Sequence, residues 1–573
     1  MKVLLVFCLV IVGVISQHVP TVPTKQHSDD VVVKLNHGLL KGKTIPGNDH
    51  PYEAFLGVPY AKPPVGSLRF SNPVPCEPWG TIYDATYSRN ECLQKFHFIN
   101  QHYIKGEEDC LYLNIYRPCK RNPEKKLPVV VYLGIGGHGN DATSFEKVNP
   151  DYLMDTQEVI VVVVQSRVGP LGFLSSGDKH CQGNFGIKDQ QLALRFVYEN
   201  IGNFGGDCTC VTIMGAGGRA VAAQLHWLHP ETSKYFQKVV LKSGSILSPQ
   251  TLLHDPYEQF IDHAKHIGIK NPSSLSTYDI TEKLRNCDAK VLLSICDNFD
   301  YWNLNKIMYY RPTIEGNWEG AYITKNPVQL WKQGKYEPKP LYYTLTQSDA
   351  NVFATLLIDP HRRMAFNENF KVHLPEFLDI DPKHYPAVKD YYFKDDVCQV
   401  TDHNIFKFID LFTVRLFQQA HYNTIKCHVN NVDTVKYPLS IDKFNFNGPN
   451  HFTKYLSGYE GNLNVGLFDD LLYLFRFPKF FPDFDRKSIS YQMKDIYVNT
   501  HIHFFVNGVA KSWSQLDVCS GPYFDKFGFC EYQVFCNQTE YINNILHYQA
   551  TVQPTNYYDL EGVKFWDTCA PLF

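Results

Sequence analysis

The sequence predicts an α/β fold with a large, mostly parallel central sheet flanked by helices. Three observations carry this. LPVVVYLG at 127–134 and EVIVVVVQS at 158–166 are short apolar runs bounded by turn residues, as strands buried on both faces should be. QQLALRFVYEN at 190–200 has helical spacing. VTIMGAGGRAVAAQLHWL at 211–228 reads as strand, sharp turn and helix, and KVVLKSG at 238–244 as the next strand. Strand–helix–strand order at this spacing argues for parallel pairing.

Taken in order, residues 1–16, MKVLLVFCLVIVGVIS, carry one lysine, a short apolar stretch and small residues at Val14 and Ser16. That is the layout of a signal peptide cut near Ser16–Gln17. The run is too short for a comfortable membrane span, no later run approaches ~18 apolar residues, and the C-terminus has no lipid-anchor signal. A soluble, secreted, extracellular protein is expected. Residues 17–30 read as a loose segment, and VVVKLNHG as a strand entering a turn. Residues 250–310 look largely helical, PLYYTLT at 340–346 is another strand, and 361–430 alternate helical patterns with polar turns. Without a repeat or clear linker, one domain is expected over 31–566, followed by a tail at 567–573.

With 573 residues, 44% hydrophobic and 20% charged, the chain can bury a large core. A formal net charge of -3 makes no electrostatic case for nucleic acid or an anionic membrane. The sequence calls for no cofactor and no metal. Of 16 cysteines, Cys8 leaves with the signal, so an odd number remains and at least one is free or pairs outside the chain. Asn537-Gln538-Thr539 is a glycosylation sequon.

Several blocks resemble the type-B carboxylesterase and cholinesterase family and occur in its order. They are FLGVPYAKPPVGSLRF at 55–70, EEDCLYLNIY at 107–116, SRVGPLGFLSSGD at 166–178, GNFGIKDQQLAL at 183–194 and NIGNFGGD at 200–207. The resemblance covers about residues 30–566 and implies an α/β-hydrolase fold with a Ser–Glu–His triad acting on esters. Such a triad needs an activated hydroxyl, a histidine that takes its proton and a carboxylate that orients the histidine.

This chain departs from that pattern. The family's G-E-S-A-G-G corresponds to Gly215-Ala216-Gly217-Gly218-Arg219-Ala220, so Gly217 stands at the nucleophile position. The histidine position is Leu467, in GLFDDLLY. The carboxylate position is Asp349, expected to be an ordinary exposed or capped aspartate once its partner is lost. Recruiting His451, 16 residues upstream of Leu467, would require a rebuilt loop. Gly136, Gly137 and Gly218 are expected remnants of the oxyanion loop, with His138 lining the pocket. Arg219 replaces the glycine expected where strand and helix approach. It implies a relaxed elbow, or a guanidinium turned to solvent or to the old gorge, where it could pair with Asp349 or an anionic ligand. Ser243 and Ser245 are read as supporting hydrogen-bonding groups, and Cys208 and Cys210 as thiols or disulfide partners rather than nucleophiles.

The resemblance further implies a Cys92–Cys110 disulfide. Cys287 with Cys296 is the next expected pair, and Cys398 with Cys519 resembles the family's long C-terminal closure. Cys569, near the end of the chain where some relatives bridge subunits, suggests a covalent homodimer. The expected function is a secreted, non-catalytic carboxylesterase-like pseudoenzyme, resembling the family's adhesion proteins, that binds an extracellular protein partner or a small apolar ligand. The alternative is a weak or unconventional ester hydrolase.

Overall fold

The structure is a computed structural model that describes residues 30–95, 103–122, 124–139, 143–144, 146–249, 251–298, 308–394, 399–459, 461, 463–510, 532–542, 545–555 and 559–572. Cys398 and Cys519, and the side chain of Asn537, lie outside the described residues.

A thirteen-stranded sheet organises the chain. Its strands are β1 (Asp30–Leu35), β2 (Gly38–Ile45), β3 (Tyr52–Pro59), β4 (Tyr112–Pro118), β5 (Leu127–Gly136), β6 (Ile160–Val164), β7 (Gly206–Gly217), β8 (Lys238–Lys242), β9 (Leu341–Thr346), β10 (Leu439–Phe444), β11 (Tyr532–Ile542) and β12 (Ile545–Thr555). Their spatial order is 1-2-3-4-6-5-7-8-9-10-11-12, with the short segment Tyr83–Asp84 beside β2. From β6 to β11 every pairing is parallel, as the sequence led us to expect. The flanks differ. β1 through β4 pair antiparallel, β4 meets β6 antiparallel, and β11–β12 form an antiparallel pair. The turn at Asn36-His37 explains the first of these, because a two-residue connection permits only a hairpin.

The central strands are covered on both faces. Along β5, Val129, Val131 and Leu133 enter one core, while Val130, Tyr132 and Ile135 enter the other. Val161 and Val163 of β6 likewise face away from Ile160, Val162 and Val164. Helices α1 (Phe185–Asn200) and α2 (Gly218–Leu228) pack on the first face, and α3 (Ile489–Asn507) packs on the second. Two covered faces explain why these strands read as unbroken apolar runs. Helix α4 (Leu560–Cys569) runs across the expected boundary at residue 566, with Trp566 fully buried. Cys569 is therefore a partly buried helical residue packed against the core, where a tail at 567–573 was expected.

Cys92 and Cys110 form a disulfide, as expected. Cys287 and Cys296 do not pair, which corrects the expectation. The helix Ala289–Ser294 lies between them. Nine residues at helical rise span ~13 Å, well beyond the ~7 Å between Cα atoms that a disulfide tolerates. Non-reducing peptide mapping should find the Cys92–Cys110 link and alkylatable thiols at Cys287 and Cys296. Replacing Cys92 and Cys110 by serine should cost about 3 kcal/mol, the loop-closure value for a loop of this size. A Cys287–Cys296 peptide in the native protein would contradict the helix between them.

Candidate functional site

The candidate site lies where β7 turns into α2. Gly217 ends the strand with φ 62 and ψ -125, a backbone conformation that glycine adopts without the steric cost of a β-carbon. It pairs with Gly136 of β5, so the elbow and the oxyanion-loop remnants adjoin as expected. A β-carbon on Gly218 would stand 3.0 Å from the Gly137 Cα. At Gly215 one would lie 2.1 Å from the Arg219 carbonyl oxygen, so the closest strand–helix approach falls there.

That placement leaves room for a side chain at 219. Arg219 is fully buried and points inward, not to solvent, with Nη1 3.5 Å from Ser166 Oγ. It makes no ion pair with Asp349, whose partners are Ser243 and Thr346. His138 is also enclosed, at 3% exposure, with its ring centroid 4.7 Å from that of Phe173. Burial, reinforced by the charges of Arg219 and Arg311, pushes its pKa down to about 3. His138 is thus a neutral, buried residue packed on Phe173.

The carboxylate survives in a protected form. Asp349 is fully buried, which leaves only the hydrogen-bonded half of the exposed-or-capped expectation, and Oδ1 accepts from Ser243 Oγ at 2.7 Å and Thr346 Oγ1 at 2.6 Å. The Thr346 backbone N–H adds contacts of 3.2 and 3.3 Å. Burial pushes the Asp349 pKa up to about 7, against the opposing hydrogen bonds from Thr346 and Ser243. Ser243 holds a left-handed conformation at φ 49. A β-carbon on the neighbouring Gly244 would sit 2.2 Å from the Gly217 carbonyl oxygen, so the residue after Ser243 packs directly against the elbow. Ser245 instead joins Thr424, 2.6 Å away.

Leu467 occupies the remaining corner. The Ser348 N–H donates to Val465 O at 2.9 Å, and a bridge joins Ser348 to Gly466, which docks this loop onto the Asp349 turn. Leu467 is 7% exposed and belongs to the apolar core. The next residue was not singled out in the sequence and decides the geometry. Phe468, at φ 75, lies against Gly217: a β-carbon there would stand 3.0 Å from its Cε1 and Cζ. The ring borders the place where a nucleophile's side chain would begin. No sequence signal marks it, because an aromatic residue in an apolar loop normally reads as packing.

His451 serves this loop, with both ring nitrogens engaged. Its Nδ1 is 2.8 Å from Asp469 Oδ2, and its Nε2 is 2.9 Å from Gly448 O. Asp469 also accepts from the Gly466 and Phe452 N–H groups, both at 2.8 Å. Burial opposes the charged imidazolium, but Asp469 outweighs it and raises the His451 pKa. A raised folded pKa contributes stability that is full below the unfolded value of ~6.5 and lost as pH rises through the folded value. The unfolding free energy of the native protein, measured against His451→Gln, should fall across that window. An equal or rising difference would refute the clamp.

Cys208 and Cys210 lie toward the far end of β7, with Cys210 seven residues from Gly217 and so roughly 20 Å away. Neither lies at the elbow. Among the described residues no group of His, Cys, Asp or Glu is arranged to hold a metal, and no helix is long and apolar enough to cross a membrane.

The carboxylesterase family model matches residues 29–543. A juvenile hormone esterase of Tribolium castaneum is 31% identical over 466 residues, covering 77% of each chain. Human carboxylesterase 5A is 32% identical over 370 residues, 62% of each chain. Among solved structures, the juvenile hormone esterase of Manduca sexta with OTFP covalently attached superimposes with a TM-score of 0.77, covering 94% of this chain and 99% of that one at 22% identity. That likeness establishes the α/β-hydrolase fold. With the family model spanning most of its length, the chain belongs to the carboxylesterase family.

Proposed function

We propose that this is a secreted carboxylesterase-family protein that forms no serine acyl-enzyme at its elbow and acts by binding. One observation carries the reading. Gly217 offers no hydroxyl, and the Phe468 ring lies 3.0 Å from where its β-carbon would be, beside a buried Leu467 in place of the base. Removal of triad members leaves only ~10³–10⁴ over water in the serine proteases, and here two are absent. Closure at this point favours an extracellular protein partner on the outer surface over a small apolar ligand seated at the elbow. The leader at 1–16 and a glycan on Asn537 belong to the same proposal.

A second reading is an unconventional ester hydrolase. It is favoured by the esterase names of the relatives, including the Tribolium protein over 77% of the chain. It requires a relocated nucleophile. Purified protein, freed of contaminating esterases, should remain unlabelled by fluorophosphonate and should hydrolyse short acyl esters no faster than Asp349→Ala. Stoichiometric labelling with matching turnover would replace the first reading by the second and locate the nucleophile.

A further inference from the structure

At the opposite end of β7 from the elbow, a thiol and an amine meet across two strands. Lys238, the first residue of β8, donates from Nζ to Cys210 Sγ at 3.0 Å and to the Phe505 carbonyl oxygen of α3 at 2.7 Å. Strand register holds them there: the Gln237 N–H donates to Val211 O at 2.8 Å, and the Gln237 side chain accepts from the Val211 N–H at 2.9 Å. Lys238 is 7% exposed, and both of its hydrogen bonds go to uncharged acceptors. Cys210 is a free thiol and only partly buried, so a small oxidant can reach the sulfur while the amine stays in place behind it.

We infer that Cys210 and Lys238 form an oxidation site at which a single oxygen atom bridges the sulfur and the nitrogen, linking β7 to β8. The oxidant is dioxygen. One thiol and one primary amine react with one O₂; an S–O and an N–O bond form, the S–H and one N–H bond break, and one water leaves. Sulfur and nitrogen each give up two electrons, and the four reduce both oxygen atoms, one kept in the bridge and one lost as water. The observed separation suits this product, since one oxygen spans the gap after a small approach. A direct S–N bond demands a much larger closure between atoms anchored on separate strands. Ordinary thiol oxidation runs instead through sulfenic to sulfinic acid and leaves an amine untouched. The link sits where β8 begins and beside the end of α3, so it ties sheet to helix in the oxidised protein and releases them on reduction.

The test uses the full-length purified protein, divided between air-saturated and anaerobic buffer. Each sample is alkylated, digested without reductant and mapped by mass. The expected result is loss of alkylatable Cys210 in air, matched by loss of amine labelling at Lys238. A linked peptide should appear, heavier than its parts by one oxygen and lighter by two hydrogens, and thiol reductant should restore both residues. Lys238→Arg keeps a nitrogen donor beside the sulfur without a primary amine and should abolish the link; Cys210→Ser is the matching control. Cys210 recovered wholly as thiol or as sulfinic acid with Lys238 still labelled would overturn the inference. So would Cys210 found in a disulfide, or a linked peptide without the added oxygen.

Discussion

Gly217→Ser alone will not create an esterase; joined with Leu467→His and Phe468→Gly it should. The single serine gains a hydroxyl but meets the Phe468 ring at 3.0 Å and has no base. Leu467→His alone adds a base without a nucleophile. Phe468→Gly clears the space, and its φ of 75 is one that glycine adopts readily. Asp349 then has an imidazole to orient, and a histidinium beside it should draw its pKa down from about 7, restoring the charged form. A positioned general base is worth ~10²–10⁴ in rate, so the triple variant should exceed the native protein by at least ~10²-fold and take up fluorophosphonate at residue 217. Adding Asp349→Ala should remove most of that gain. A triple variant that folds, by circular dichroism and thermal unfolding, yet stays unlabelled would mean that the elbow is no longer a hydrolase framework. Activity in the Gly217→Ser single variant would reveal a base elsewhere.

Asp469→Ala should destabilise the fold by about 3 kcal/mol or more, the scale for removing one partner of a buried ion pair. The carboxylate is 2% exposed and accepts from His451, Phe452 and Gly466 together. Its removal strips partners from two backbone N–H groups and one ring nitrogen at once. The loop bearing Leu467 and Phe468 loses the anchor that presses it on the elbow. Denaturant unfolding monitored by fluorescence measures the loss, and a change below about 1 kcal/mol would show that the loop is held by apolar packing alone. Asp469→Asn keeps the shape and one acceptor oxygen, so it should recover part of the stability but lose the pH dependence contributed by His451.

The strand–helix alternation and the elbow at Gly217 were legible in the sequence, because each is a local matter of residue type and spacing. Unbroken runs such as IVVVV at 160–164 announce strands covered on both faces wherever they fall in the sheet. The antiparallel flanks were less legible, since β1 and β2 are only partly buried and lack that continuous apolar signature. Cys92–Cys110 followed from family resemblance and Cys287–Cys296 from proximity in sequence; a helix between the latter two made proximity misleading. Burial of Asp349, the inward course of Arg219 and the engagement of His451 by Asp469 depend on groups 53 to 106 residues apart, or on a loop's exact path. Above all, the ring of Phe468 lies against Gly217 on a loop that Asp469 and Ser348 tie to distant parts of the chain. The sequence alone determined that Gly217 and Leu467 stand where the family has its serine and histidine, since a hydroxyl or an imidazole is a property of a single residue. Only the tertiary structure decided what surrounds those positions, because filling a space depends on which distant side chains the packed fold brings against it.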